Sequence, residues 1–224
     1  MMILTERIHA AWKKKEIFSV VFMDVTGAFN NVHHKRLIHN TRKRKVPQQI
    51  TNWIHSFLQG RTTRLRFNGT LSDVSIPTLA GTPQGSPLSL TLYMYYNGDL
   101  LDIPSERELS LGFIDDIAYG VEGLTDLGNT ERLKVMLKEA EQWRRMHGAQ
   151  FERSKYMLVH FNRNRRKQLT SPIPLAGANI HPSNEARYLG VIFDRALHFK
   201  SHLDYITEKG TKFALAMASV ARVT

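Results

Sequence analysis

The chain has 224 residues, enough for one sizeable core or a domain with an appendage, since domains run to roughly 100 to 200 residues. Lys and Arg number 31 against 20 acidic residues, a formal net charge of +11; the excess either keeps the surface soluble or serves a polyanionic partner, and clustering of the cations favours phosphate. The absence of cysteine excludes disulfides and Cys-based zinc sites and suits a reducing, intracellular compartment, and no stretch reaches the roughly 18 apolar residues a membrane span needs.

The start, Met1 to Trp12, carries Glu6 and no long apolar run, so it does not read as a secretory leader. Lys13 to Lys15 form the first basic cluster. Ile17 to Met23 is a nearly continuous apolar run, short and rich in branched and aromatic residues, which predicts a buried strand delivering Asp24 at its end. Leu37 to Lys45 and Ile50 to Leu58 read as helices, the second opening at Pro47 and turning Trp53, Ile54, Phe57 and Leu58 inward. Lys35, Arg36 and Arg42 to Lys45 are basic; the latter run reads as solvated helical charge rather than a nuclear-import signal.

Thr63 to Phe67 and Thr70 to Ile76 alternate apolar and polar residues about Asn68-Gly69, which predicts a half-exposed hairpin whose basic face holds Arg64 and Arg66, with Arg61 before it. Asn68-Gly69-Thr70 also fits a glycosylation acceptor, but without a leader it reads as the turn. Ser86-Pro87 is an N-cap and first-turn pair, opening a helix with Leu88, Leu92, Tyr95 and Tyr96 at helical spacing until about Ile103. Leu109 to Ile114 and Ile117 to Val121 are short apolar strands, which places Asp115-Asp116 in a tight turn between them. Leu133, Met136, Leu137, Ala140 and Trp143 make a helical stripe over about Thr130 to His147, closed by Gly148, and a strand follows from Tyr156 to Phe161. A basic loop with Arg163, Arg165, Arg166 and Lys167 leads to a strand at Arg187 to Phe193 and a helix at Phe199 to Val220.

This order of elements is the split βαβ, or ferredoxin-like, α+β arrangement, in which the first strand lies beside the middle hairpin. Asp24 would then face Asp115 and Asp116. A self-repelling trio of carboxylates needs cations, and hard divalent ions such as Mg²⁺ suit oxygen ligands; two such ions about 4 Å apart serve phosphoryl transfer. An isolated Asp-Asp turn is ordinarily solvated and structural, so the argument rests on convergence. Signatures of Gly-x-Ser-x-Gly hydrolases, His-Glu-x-x-His proteases and phosphate-loop proteins are missing from the sequence.

Phe22-Met23-Asp24-Val25-Thr26-Gly27-Ala28-Phe29, Gly81-Thr82-Pro83-Gln84-Gly85-Ser86-Pro87-Leu88-Ser89 and Phe113-Ile114-Asp115-Asp116 resemble motifs A, B and C of reverse transcriptases. Phe151 to Phe161 with Ser154-Lys155 resembles motif D, and Tyr188-Leu189-Gly190-Val191 the motif E primer grip; Arg61-Thr62-Thr63 is similar to the non-LTR, LINE-type branch. The resemblance implies a ferredoxin-like polymerase palm with partial fingers and the beginning of a thumb, divided at 1–162 and 163–224. It implies two Mg²⁺ ions, with Mn²⁺ as substitute, on Asp24, Asp115 and the Val25 carbonyl, and Asp116 as an assisting catalytic acid. It also implies nucleotide contacts at Ala28, Phe29, Gln84, Gly85 and Lys155, where Phe29 would exclude a 2′-hydroxyl and Lys155 either protonates departing pyrophosphate or stays solvated. Arg61, Arg64, Arg66, Tyr188, Leu189 and Gly190 are the expected contacts to nucleic acid.

Two positions depart from the family pattern: Asn30 stands where an acid is usual after the motif A phenylalanine, and Ile114 where Ala is common. The expected activity is RNA-directed DNA polymerisation, with RNA template, DNA primer and deoxynucleoside triphosphates as partners, no membrane, and nuclear residence for an active retroelement enzyme. The alternative is a retroelement fragment that only binds nucleic acid; a group II intron maturase would add a splicing region after the core. Relative to the family, upstream fingers and most of the thumb are expected to lie outside this chain, weakening nucleotide binding and primer retention. Oligomeric state is not legible.

Overall fold

A computed structural model describes residues 1–164, 166–175 and 177–221. Arg165 of the basic loop lies outside the described residues.

Helix α1, Met2–Lys13, buries Leu4, Ile8 and Ala11, one stripe at helical spacing. It ends where Lys15 turns left-handed at φ +62°, with Lys15 N–H donating to Trp12 and Glu16 N–H to Ala11. Strand β1, Ile17–Thr26, is buried through Met23 and then alternates, so Asp24 and Thr26 are half-buried and Val25 is not exposed. Helices α2, His34–Lys43, and α3, Gln48–Leu58, follow. Pro47 is the N-cap of α3 rather than its first helical residue, and Ile54, Leu58 and Thr51 form the buried stripe. Trp53 was expected inside but is exposed: it stacks on half-buried Phe57 at 5.7 Å, outside the stripe set by Ile54 and Leu58.

The segment about Asn68-Gly69 is a ladder of two-residue strands: β2, Thr62–Thr63, pairs with β5, Ile76–Pro77, and β3, Arg66–Phe67, with β4, Thr70–Leu71. Its strands are exposed on both faces, not one, because no second layer covers either side among the described residues. Helix α4, Pro87–Leu101, starts at the expected pair; Ser86 is extended at the N-cap but makes no side-chain cap bond. Strands β6, Leu109–Phe113, and β7, Asp116–Gly123, flank a turn of Ile114 and Asp115, so the expected Asp115-Asp116 turn lies one residue earlier. Two residues suffice to reverse a hairpin, which leaves Asp116 as the first residue of the returning strand.

Helix α5, Asp126–His147, ends at left-handed Gly148; then come β8, Gln150–Phe151, a 3₁₀ turn at Arg153–Lys155, and β9, Met157–Phe161. Beyond it are the hairpin β10, Ile173–Leu175, with β11, Ala178–Ile180, then β12, Pro182–Ser183. The single strand expected over Arg187 to Phe193 is instead a hairpin of β13, Glu185–Tyr188, and β14, Val191–Asp194. Leu189 and Gly190, at φ +47° and +83°, form its turn and break the apolar run. Helix α6, Lys200–Ala221, closes the chain's described part. Among the described residues no helix is long and apolar enough to cross a membrane.

The main sheet has the order β12-β9-β1-β7-β6, with β8 pairing β1 off this path. Without β12 and β8 this is the strand order of the split βαβ palm. Two compact units divide the chain, Met1–Phe22 with Ala118–Val135 and Tyr156–Thr224, and Met23–Ile117 with Met136–Lys155; β1, β7 and α5 run from one into the other.

In the first unit β1 and β9 are antiparallel, with Val20 opposite Val159 and Phe22 opposite Met157. A buried polar chain crosses this pairing. Asn129 Nδ2 donates to the Ile17 carbonyl at 3.0 Å and to Ser19 Oγ at 2.9 Å, and Ser19 Oγ donates to His160 Nδ1 at 2.7 Å. His160 Nε2 donates to the Ser171 carbonyl at 3.1 Å, the tautomer expected of a ring whose pKa burial pushes below the ordinary value.

The second unit is built on aromatics of α4 and α5. Trp143 stacks on His147 at 4.4 Å and meets Tyr96 edge-on at 6.1 Å, while the Tyr96 hydroxyl donates to the His147 carbonyl. Asn40 Nδ2 ties α2 to the Tyr96 carbonyl at 2.9 Å, and Arg44 bridges Asp99 at 3.1 Å and Asp102 at 2.6 Å. Burying each such large apolar side chain contributes roughly 1.5 to 3 kcal/mol, against about 0 to 1 for a pair to an exposed acid such as Arg44 with Asp102, so the aromatic core contributes more than that charge pair.

Candidate active site

The carboxyl end of β1 and the β6–β7 turn are joined by backbone. Val25 N–H donates to the Asp115 carbonyl at 3.0 Å, and Glu152 N–H to the Asp24 carbonyl at 3.2 Å. A strand residue presents its N–H and C=O at one edge, so the Val25 carbonyl also lies on the edge facing the Asp115 turn. Asp24, Asp115 and Asp116 are all half-buried.

The turn itself is strained. Ile114 has φ +58°, a conformation that costs an L-residue roughly 1 to 2 kcal/mol and is least suited to a β-branched one. Asn97, buried on α4, donates from Nδ2 to the Ile114 carbonyl at 2.7 Å and braces the turn that presents Asp115. Sequence patterns did not single out Asn97; a buried amide within an otherwise apolar helical stripe was the available signal.

The three carboxylates share one field. Burial is the first cause that raises the pKa of Asp116 above the ordinary carboxylate value, followed by the charges of Asp115 and Asp24, with Lys155 opposing. Tyr93 beneath them is pushed far above the ordinary phenol value by burial, then by Asp115, Tyr96 and Asp24, and so stays protonated. Lys155 Nζ lies 2.9 Å from Asp24 Oδ2, and this bond raises the lysine pKa. Among the described residues no group of three or more His, Cys, Asp or Glu side chains is arranged to hold a metal ion; the cation on Asp24 is the Lys155 ammonium.

A largely apolar cleft of about 520 Å³ is lined by Phe29, Gln84, Gly85, Ser86, Pro87, Ser89 and Leu90. Phe29 leans on Tyr93 with ring centroids 5.5 Å apart, and Ala28 is buried beside it. Gln84 Nε2 donates to Asn30 Oδ1 at 3.0 Å, so the departure from an acid at Asn30 engages the motif B glutamine directly. A second, polar cleft of about 480 Å³ lies among Asn30, Arg61, Thr62, Thr63, Thr78, Thr82 and Gln84. The loops of residues 29–34 and 81–84 are laced: Gly81 N–H donates to Val32 O and Thr82 N–H to Phe29 O, both at 2.8 Å.

The remaining sequence-selected residues are dispersed. Arg61 lies over the Phe57 ring at 5.5 Å, and Arg64 and Arg66 stand on the exposed ladder in the same unit as the acids. Tyr188, Leu189 and Gly190 belong to the other unit: the Tyr188 ring is buried against Phe22 at 5.1 Å, Leu189 is half-buried and Gly190 is exposed at the turn.

The family model described as reverse transcriptase (RNA-dependent DNA polymerase) matches residues 2–193. The RNA-directed DNA polymerase from mobile element jockey of Drosophila melanogaster is 30% identical over 204 residues, covering 88% of this chain and 22% of the relative. The probable RNA-directed DNA polymerase from transposon X-element of the same fly is 28% identical over 89% of this chain and 22% of its own length. The chain thus spans about a fifth of the length of the curated relatives it matches. Among solved structures, apo telomerase from Candida tropicalis aligns over 88% of this chain and 36% of its own, at TM-score 0.57 and 15% identity, which speaks for the fold alone.

Proposed function

The chain belongs to the reverse transcriptase (RNA-dependent DNA polymerase) family, and on that premise we propose that its Asp24, Asp115 and Asp116 site adds deoxynucleotides to a DNA primer on an RNA template. The observation that carries the reading is the hydrogen bond from Val25 N–H to the Asp115 carbonyl, which joins the end of the strand that bears Asp24 to the turn that bears Asp115 and Asp116. In this reaction the primer 3′-hydroxyl loses its proton to solvent and its oxygen forms a bond to the α-phosphorus, while the bond from that phosphorus to the bridging oxygen breaks and its electron pair leaves with pyrophosphate.

In its chemistry rather than its present arrangement the donor set suits Mg²⁺, or Mn²⁺ in its place: it is all oxygen, and its Asp24 oxygen takes a cationic partner in Lys155. Asp24, Asp115 and the Val25 carbonyl would hold the ions, with Asp116 beside them, and such ions when bound supply Lewis acidity to the entering and leaving oxygens. Lys155 is the proton donor for the departing pyrophosphate. Its ammonium must leave Asp24 to reach that group, and its exposed position leaves the side chain free to swing. Phe29 closes the cleft where a 2′-hydroxyl would sit, and Gln84 offers its carboxamide to the nucleotide. Arg61, Arg64 and Arg66 track phosphates of the strands, with the turn of Leu189 and exposed Gly190 as a further contact, whereas the Tyr188 ring is buried and supports that turn from within.

The test is templated single-nucleotide addition by the purified chain to a DNA primer annealed on RNA. The account expects Mg²⁺-dependent addition of the complementary deoxynucleotide. Tight binding with no addition at any metal concentration would favour the alternative, a nucleic-acid-binding module.

A further inference from the structure

We propose that His34 is a positioning residue: it fixes the peptide between Gly81 and Thr82, and through that peptide the side chain of Gln84. The inference rests on reading the Phe29–Gln84 cleft as the nucleotide site. His34 opens α2, and its Nε2 donates to the Gly81 carbonyl at 2.7 Å. The N–H at the other side of the same peptide belongs to Thr82 and donates to the Phe29 carbonyl at 2.8 Å. One peptide plane is therefore tied at both ends to the 29–34 segment.

That plane depends on these bonds for its position. Gly81 sits at φ +86° and has no side chain to pack this part of the loop in place, so hydrogen bonds must fix the peptide. Gln84 and this peptide are bound to the same 29–34 segment, and Pro83 between them has a fixed φ, so a shift of the peptide is transmitted to Gln84 with one torsion fewer to absorb it. Gln84 would leave Asn30 Oδ1, now 3.0 Å from its Nε2, and withdraw from the cleft wall. Histidine suits this task because the neutral ring protonated on Nε2 and the imidazolium both donate, so the clamp persists whichever form is present.

The experiment uses the full chain as wild type, His34→Ala, His34→Gln, Gln84→Ala and the His34→Ala/Gln84→Ala pair. Amide exchange at Gly81 and Thr82 and the Gln84 side-chain amide resonance are read by NMR, and KM and kcat for single-nucleotide addition are measured. His34→Ala should speed exchange at the two amides about tenfold, shift the Gln84 resonance and raise KM about tenfold with kcat little changed, the loss expected for one hydrogen bond. His34→Gln, which returns an N–H near the Nε2 position, should restore all three, and His34→Ala should add nothing once Gln84 is alanine. Unchanged exchange in His34→Ala, a Gln variant no better than Ala, or additive effects in the pair would each overturn the proposal. If the wild type adds no nucleotide, the exchange and resonance measurements still decide the clamp, and the polymerase reading alone falls.

Discussion

Replacing Gly81 with alanine should be far more costly than the same change at Gly85, although both glycines are left-handed, at φ +86° and +90°. A Cβ at Gly81 would stand 2.9 Å from the Asn30 carbonyl oxygen, 3.0 Å from that of Phe29 and 3.2 Å from Asn30 Cα; at Gly85 it meets no described atom within 4 Å. The left-handed conformation costs alanine roughly 1 to 2 kcal/mol at either site, and the gain from a stiffer unfolded chain applies to both, so these cancel in the difference. At Gly81 the obstructing atoms are backbone, held by the Gly81-to-Val32 and Thr82-to-Phe29 hydrogen bonds. Relief requires the loop to part from the 29–32 segment and weaken those two bonds at about 1 kcal/mol each. Gly81→Ala should therefore lose about 2 kcal/mol more than Gly85→Ala, a large share of the roughly 5 to 15 kcal/mol that holds a domain together. Urea unfolding of the two variants, compared at matched m-values, measures the difference. Equal destabilisation within about 0.5 kcal/mol would refute the close approach of the two loops.

If Phe29 closes the sugar side of the cleft as proposed, Phe29→Val should raise ribonucleotide incorporation relative to deoxynucleotide about tenfold; unchanged discrimination would return Phe29 to a packing role against Tyr93. The raised pKa of Asp116 means that the native state holds this proton to higher pH than the unfolded chain does, so its contribution to stability is present below the ordinary carboxylate pKa and lost as pH rises through the raised value. Asp116→Asn should accordingly gain stability over wild type as pH rises above the ordinary carboxylate value of about 4, and a difference independent of pH in urea unfolding would contradict the raised pKa. Substituting Arg61, Arg64 and Arg66 together by alanine should lower the slope of log affinity against log salt for single-stranded RNA by about 2, with an unchanged slope showing that the ladder does not touch phosphate.

The palm was legible because its strands are apolar runs bounded by turn residues: Ile17 to Met23, Leu109 to Phe113, Ile117 to Val121 and Met157 to Phe161. The stripe of α5 and its Gly148 cap were equally plain. Helix α1 was missed since only Leu4, Ile8 and Ala11 mark its inner face across three turns. The β13–β14 hairpin was read as one strand because Leu189, an apolar residue, does not announce the left-handed turn that it makes with Gly190. The carboxylates and their neighbours were chosen on spacing and on the family resemblance, and in the structure a backbone hydrogen bond from Val25 to Asp115 joins the strand end that bears Asp24 to the turn before Asp116. What spacing could not reveal was the lacing of the two loops by His34, Asn30 and Gly81, or the brace from Asn97 to Ile114. Those contacts link residues far apart in the chain, with no periodicity to betray them.

The most direct test of the central claim is templated nucleotide addition by wild type, Asp24→Asn and Asp115→Asn, each first shown to fold and to bind the primer–template equally. Asparagine keeps the shape of the side chain and removes its charge, so packing is spared. The account predicts Mg²⁺-dependent addition by wild type and a loss of at least about a thousandfold in both variants, the scale of about 4 kcal/mol of transition-state stabilisation. Metal-independent addition, or addition by either variant near the wild-type rate, would contradict it.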